Sequence, residues 1–122
     1  SFIFTPTSTQ NNQRVLWSTY NDNNNYLKML IQDSNVIFVN TVNNNTVMAT
    51  APITSLTVGN EYFIEWEISS NEPGLIVKVN GTQGSTVSSA QSANITYSTK
   101  FEIGSFNGEN NIHGAIKDFI IY

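Results

Sequence analysis

Alternation of apolar and polar positions, with no sustained helical period, organises this chain. The clearest stretch begins at Glu61. Tyr62, Ile64, Trp66 and Ile68 fall on one face, and Glu61, Phe63, Glu65 and Glu67 on the other. A Ser-Asn-Glu-Pro-Gly segment follows. Leu75, Val77 and Val79 then share a face, and Asn80-Gly81 ends the run. Asn-Gly is the strongest short hairpin signal, because both residues tolerate left-handed backbone. The pair predicts an antiparallel sheet with one apolar face. Similar runs at 2–5, 14–19, 26–31, 35–40, 47–51, 100–105 and 115–122 bring the expected strands to about nine. Clusters of Asn, Gly, Ser, Asp or Pro separate them. The stretch 82–98, rich in Ser, Thr, Ala and Gln, reads as a long loop with a weak strand near 95–97. Many short strands of this kind predict an all-β fold, two antiparallel sheets packed as a sandwich, with a closed barrel as the weaker alternative.

Length and composition narrow the picture. A chain of 122 residues suits one domain, 1–122, with one core. There is no cysteine, so packing alone holds the fold. No apolar run approaches the roughly 20 residues of a membrane span, so no membrane insertion is expected. The chain starts at Ser1, which we read as the start of an excised module within a larger multidomain or multimeric protein. Terminal strands that pair would bring the two ends together, as in an inserted module.

Net charge is −4, and the only cations are Arg14, Lys28, Lys78, Lys100 and Lys117. Phosphate backbones need clustered Lys and Arg, so nucleic acid is excluded as the expected partner. Asn, Ser and Thr make up more than a third of the chain. Such a hydroxyl- and amide-rich surface suits neutral, polyhydroxylated partners.

The order of several motifs resembles a known family. Val15-Leu16-Trp17-Ser18 and Tyr26-Leu27-Lys28-Met29-Leu30-Ile31 come first. Val58-Gly59-Asn60-Glu61-Tyr62, Val77-Lys78-Val79-Asn80-Gly81 and Phe101-Glu102-Ile103-Gly104 follow. His113-Gly114-Ala115-Ile116-Lys117-Asp118-Phe119-Ile120-Ile121-Tyr122 closes the chain. The series resembles the laminin-G-like, concanavalin A-like lectin/glucanase jelly roll across nearly its whole length. That resemblance implies a two-sheet sandwich used mostly for carbohydrate or protein binding. In composition the chain also resembles sugar-binding modules of bacteriophage tail and baseplate proteins. It therefore implies an extracellular or virion-surface location and a role in host adhesion.

Candidate chemistry sorts into three groups. Glu65 and Glu67 lie two apart on one strand face, roughly 7 Å from each other, within the range of glycosidase carboxylate pairs. The glucanases of the resembled family carry a central Asp between such residues, and this strand has none. Catalysis is not expected. His113 is the only histidine, so a Cys/His zinc site is excluded. Asp22 and Glu109 each stand alone among Asn residues, which leaves at most a weak calcium site borrowing backbone carbonyls. No cofactor is implied.

Sugar recognition needs aromatic faces beside directional amide or carboxylate groups. Two loops, 20–26 and 106–113, offer that mixture. The expected carbohydrate-binding residues are Trp17, Tyr20, Asp22, Asn25, Tyr26, Asn107, Glu109, Asn111 and His113. Asn-rich turns are also ordinary turn chemistry. Strict alternation puts Trp17 with Val15 on one face, and Arg14, Leu16 and Tyr20 on the other, leaving Trp17 open between core and ligand face. The function expected is a non-catalytic carbohydrate-binding module that attaches a larger protein to a cell-surface polysaccharide. The alternative is a protein-interaction or structural sandwich in a surface assembly.

Overall fold

The computed structural model describes residues 1–8, 13–53, 56–68, 75–86 and 100–121. Among these it contains eleven strands and no helix. They are β1 (Phe2–Pro6), β2 (Arg14–Asp22), β3 (Asn25–Gln32), β4 (Asn35–Val42), β5 (Asn45–Pro52), β6 (Tyr62–Ile68), β7 (Leu75–Val79), β8 (Thr82–Gln83), β9 (Ser85–Thr86), β10 (Lys100–Ile103) and β11 (Gly114–Lys117). One sheet has five strands in the order β11-β1-β6-β7-β8, and the other six in the order β10-β2-β3-β4-β5-β9. Every pairing of named strands is antiparallel. The two sheets pack as a β-sandwich, with β7 lying over β4 and β5.

Turn chemistry explains the meander β2 to β5. Asp33-Ser34 and Asn43-Asn44 carry φ values of 49° and 62°, and 50° and 66°. Asn80-Gly81 and Asn107-Gly108 repeat the pattern, at 49° and 83°, and 48° and 78°. Two consecutive left-handed residues mark type I′ turns, whose twist matches that of the flanking strands. The turns are tighter than the expected breakers. Strand β2 runs on to Asp22 and β3 resumes at Asn25. The turn that would follow β6, at 69–74, lies outside the described residues. So do 87–99, including the weak strand expected at 95–97.

The core lies between the sheets. Phe2, Phe4, Tyr62, Ile64, Leu75, Val77 and Val79 come from the smaller sheet. Leu16, Trp17, Leu27, Met29, Ile31, Val36, Phe38, Val47, Ala49 and Ala51 come from the larger one. Each fully buried large side chain contributes roughly 1.5–3 kcal/mol. Trp17 packs on Phe38 at 5.6 Å and on Trp66 at 4.8 Å between ring centroids. Gly114 sits where any Cβ would meet the Phe4 ring and the Thr5 carbonyl, so β11 can approach β1 only as glycine there.

Three expectations need correction. The stretch read as a loop from 82 onward carries two short strands, β8 and β9, which pair with β7 and β5. The register shifts between Val15 and Trp17, a β-bulge at Leu16. The bulge resets the alternation. Val15 belongs to a small cluster on the outer face with Leu30 and Val39, while Leu16 and Trp17 both enter the core. The last strand is also shorter than 115–122, ending at Lys117. Asp118 takes φ 54°, which breaks the strand. The turn sends Phe119 between the sheets, against Phe2, Trp17, Trp66 and Phe101. The chain ends do meet: the Ser1 ammonium donates to the Ile120 carbonyl at 2.8 Å.

Candidate functional site

The outer face of the larger sheet carries an aromatic cluster that covers a second, smaller hydrophobic cluster. Tyr20 and Tyr26 are register partners on β2 and β3. Each side chain is partly exposed. Phe106 reaches over them from the segment between β10 and β11. Its ring meets Tyr20 at 5.5 Å and 82°, and Tyr26 at 5.1 Å and 67°. Such edge-to-face contacts fix ring orientation. Beneath them Val15, Leu30 and Val39 are buried, with Ile37 packed alongside.

A tight hairpin delivers Phe106. Phe106 and Glu109 exchange both backbone hydrogen bonds at 2.9 Å around the Asn107-Gly108 turn. Glu102 on β10 latches this hairpin to the sheet. Its Oε2 accepts from Ser105 Oγ at 2.8 Å and from the Gly108 amide at 3.1 Å. These two donors, the Gly108 amide foremost, hold the Glu102 carboxyl below its usual value. Ser18 Oγ donates to the Ser105 carbonyl at 2.7 Å, and Lys100 Nζ to Asn107 Oδ1 at 2.8 Å.

The adjoining rim is built by two turns. Asp22 Oδ1 accepts from the Asn24 amide at 2.8 Å and from Asn25 Nδ2 at 3.0 Å. The Asn25 side-chain bond, then the Asn24 amide, lower the Asp22 pKa. Asn25 Oδ1 in turn accepts from the Asn43 amide at 3.0 Å, tying the β2–β3 turn to the β4–β5 turn. Tyr20 Oη donates to Asn23 Oδ1 at 3.0 Å.

The nine expected residues therefore separate. Tyr20, Tyr26 and Asn107 gather on this face, and Asp22 and Asn25 form its rim turn. Glu109 is exposed at the far side of the hairpin. Trp17 is removed by burial, at 2 % exposure in the core, because the Leu16 bulge turns it inward. Asn111 lies beside Val15, near the opposite end of β2, where its carbonyl accepts from Arg14. His113 is further off still, its carbonyl accepting from Thr7 beyond β1. Sequence reasoning placed Phe106 in a candidate loop without naming it among the binding residues, and it passed over Lys28. Lys28 is two residues beyond Tyr26, so period-2 alternation alone places it on the aromatic face.

Glu65 and Glu67 occupy the outer face of the smaller sheet. With Trp66, Ile76 and Lys78 they line a shallow cavity of about 100 Å³. Ligand pockets run to ~300–1,000 Å³, so this one is too small to enclose a sugar. Among the described residues no three of His, Cys, Asp and Glu gather to hold a metal ion. No family model matches the chain, and no curated protein or solved structure is significantly similar to it.

Proposed function

We propose that this domain is a non-catalytic carbohydrate-binding module whose site is the outer face of the larger sheet. The observation that carries the reading is the convergence of Tyr20, Tyr26 and Phe106, partly exposed and held edge-to-face, beside amide-bearing turns. The rings supply apolar contact for sugar C–H faces. Asn107, Asp22 and Asn25 keep unused hydrogen-bonding capacity toward hydroxyls. In the laminin-G-like reading the module attaches a larger surface or phage tail protein to polysaccharide. An open face with few contacts binds weakly alone, and several copies would raise avidity by about 10²–10⁴. The test is a glycan array followed by calorimetric titration of the best saccharide. Tyr26→Ala is expected to weaken binding about tenfold, the worth of one good contact. Absence of binding across the array would sink the proposal.

A second reading has its own observation. Phe101, Ile103, Ile120 and Ile121 are 46 %, 50 %, 42 % and 61 % exposed. All four belong to β10 or to the segment after β11, which Phe119 draws against Phe101. Exposed apolar groups collected at one edge suit contact with another protein. Under this reading the sandwich is an interaction or structural domain. Capture of a defined protein partner lost on Phe101→Ser, with no glycan bound, would favour it.

A further inference from the structure

Resting on the carbohydrate-binding reading, we propose that the glycan bound on this face carries a carboxylate, and that Lys28 recognises it. The argument begins with where Lys28 lies. Its Nζ stands 5.2 Å from the Tyr26 ring centroid and 4.7 Å from that of Phe106. Register places Lys28 between Ser18 on β2 and Val39 on β4, in the middle of the outer face. The aromatic rings hold the ammonium by cation–π attraction. They satisfy none of its three N–H donors as an oxygen would. Among the described residues Lys28 has no ion pair and no hydrogen bond to an oxygen. An ammonium fixed by packing, with its donors uncommitted, is ready for an anionic acceptor at little cost in side-chain ordering.

The neighbouring charges do not answer it. Glu102 lies two strands away, opposite Ser18, and its carboxylate is taken up by Ser105 and Gly108. Asp22 on the rim turn accepts from Asn24 and Asn25. Lys100 gives one of its three donors to the neutral Asn107 side chain, and Arg14 reaches the Asn111 carbonyl. The chain has five cations, and by register Lys28 and Lys100 share this outer face. The ligand chemistry follows from what surrounds the ammonium. Phosphate recognition draws on clustered or bidentate cations. An ammonium held against two rings, with no oxygen partner among the described residues, fits one carboxylate on a sugar, as in a uronic or sialic acid. The same rings then meet the ring C–H groups.

The test is an array of uronic- and sialic-acid oligosaccharides, each spotted beside its carboxyl-reduced counterpart, with phosphorylated glycans alongside. It is read for the wild-type domain and for Lys28→Met and Lys28→Arg. Methionine keeps the apolar stem, and a thermal melt checks that both variants fold. The expected result is that acidic members bind about tenfold more tightly than their reduced partners, the worth of one charge-assisted hydrogen bond. Lys28→Met should erase the difference, Lys28→Arg should keep it, and salt should shrink it. Equal binding of acidic and reduced members would overturn the inference and leave the glycan reading standing. Binding confined to phosphorylated glycans would also overturn it. No binding at all would remove both.

Discussion

Trp17 shows how one residue's role turns on one extra residue before it. The side chain is apolar enough for core and aromatic enough for sugar. Alternation groups it with Val15, but the bulge at Leu16 separates the two onto opposite faces. Trp17→Ala should cost about 3–5 kcal/mol in urea unfolding, the range for large aromatics removed from a core. The folded fraction should still bind saccharide with unchanged affinity. A retained stability with lost binding would return Trp17 to the ligand face. The indole Nε1 is buried with no hydrogen-bond partner among the described residues, so Trp17→Phe should cost far less than Trp17→Ala. The pairing of Tyr20 with Tyr26 on one face was legible from their place on either side of an Asn-rich turn. The contacts of Phe106 and Lys28 were harder. Asn107-Gly108 signals the hairpin locally, but its docking across the sheet is a long-range arrangement that leaves no local mark.

Hairpins are the elements most readable from the chain, and Asn80-Gly81 is the clearest. Gly81 holds φ 83° in open surroundings, so only backbone strain opposes a side chain there. Gly81→Ala should therefore destabilise by about 1–2 kcal/mol, measured by chemical denaturation. Asn80 adds a side-chain bond of its own, accepting from the Phe63 amide at 2.8 Å. The 105–109 hairpin adds a pH dependence. Glu102 has a lowered pKa in the folded state, so its stabilising bonds are fully present above the unfolded value near 4.3. They are lost as pH falls through the folded value. Protection of the Gly108 amide against hydrogen exchange, taken relative to its intrinsic rate at each pH, should fall over that acid range. Glu102→Gln should show the lower protection already at neutral pH. Protection that ignores both acid and the substitution would mean the latch does not hold the hairpin. Strand ends were less legible, because Asp118 at φ 54° ends β11 where the Ile-Ile-Tyr sequence reads as more strand.

At the scale of the molecule, alternation indicated antiparallel sheet with an apolar face and left a closed barrel as the weaker alternative to the two sheets observed. It could not show which outer face carries a site, since both faces bear polar and charged residues. The smaller sheet offers carboxylates over a cavity of about 100 Å³, and the larger sheet offers three rings, a lysine and amide turns. Sugar chemistry favours the second. One face of each sheet makes the core, and in the proposed function the free face of the larger sheet is the one that meets the ligand. Amide-resolved NMR titration with the best saccharide from the array tests this most directly. The account predicts shifts concentrated at Tyr20, Tyr26, Lys28, Phe106 and Asn107, with Glu65, Glu67 and Lys78 unmoved. Shifts centred on Glu65, Glu67 and Lys78, or none anywhere at saturating saccharide, would contradict it.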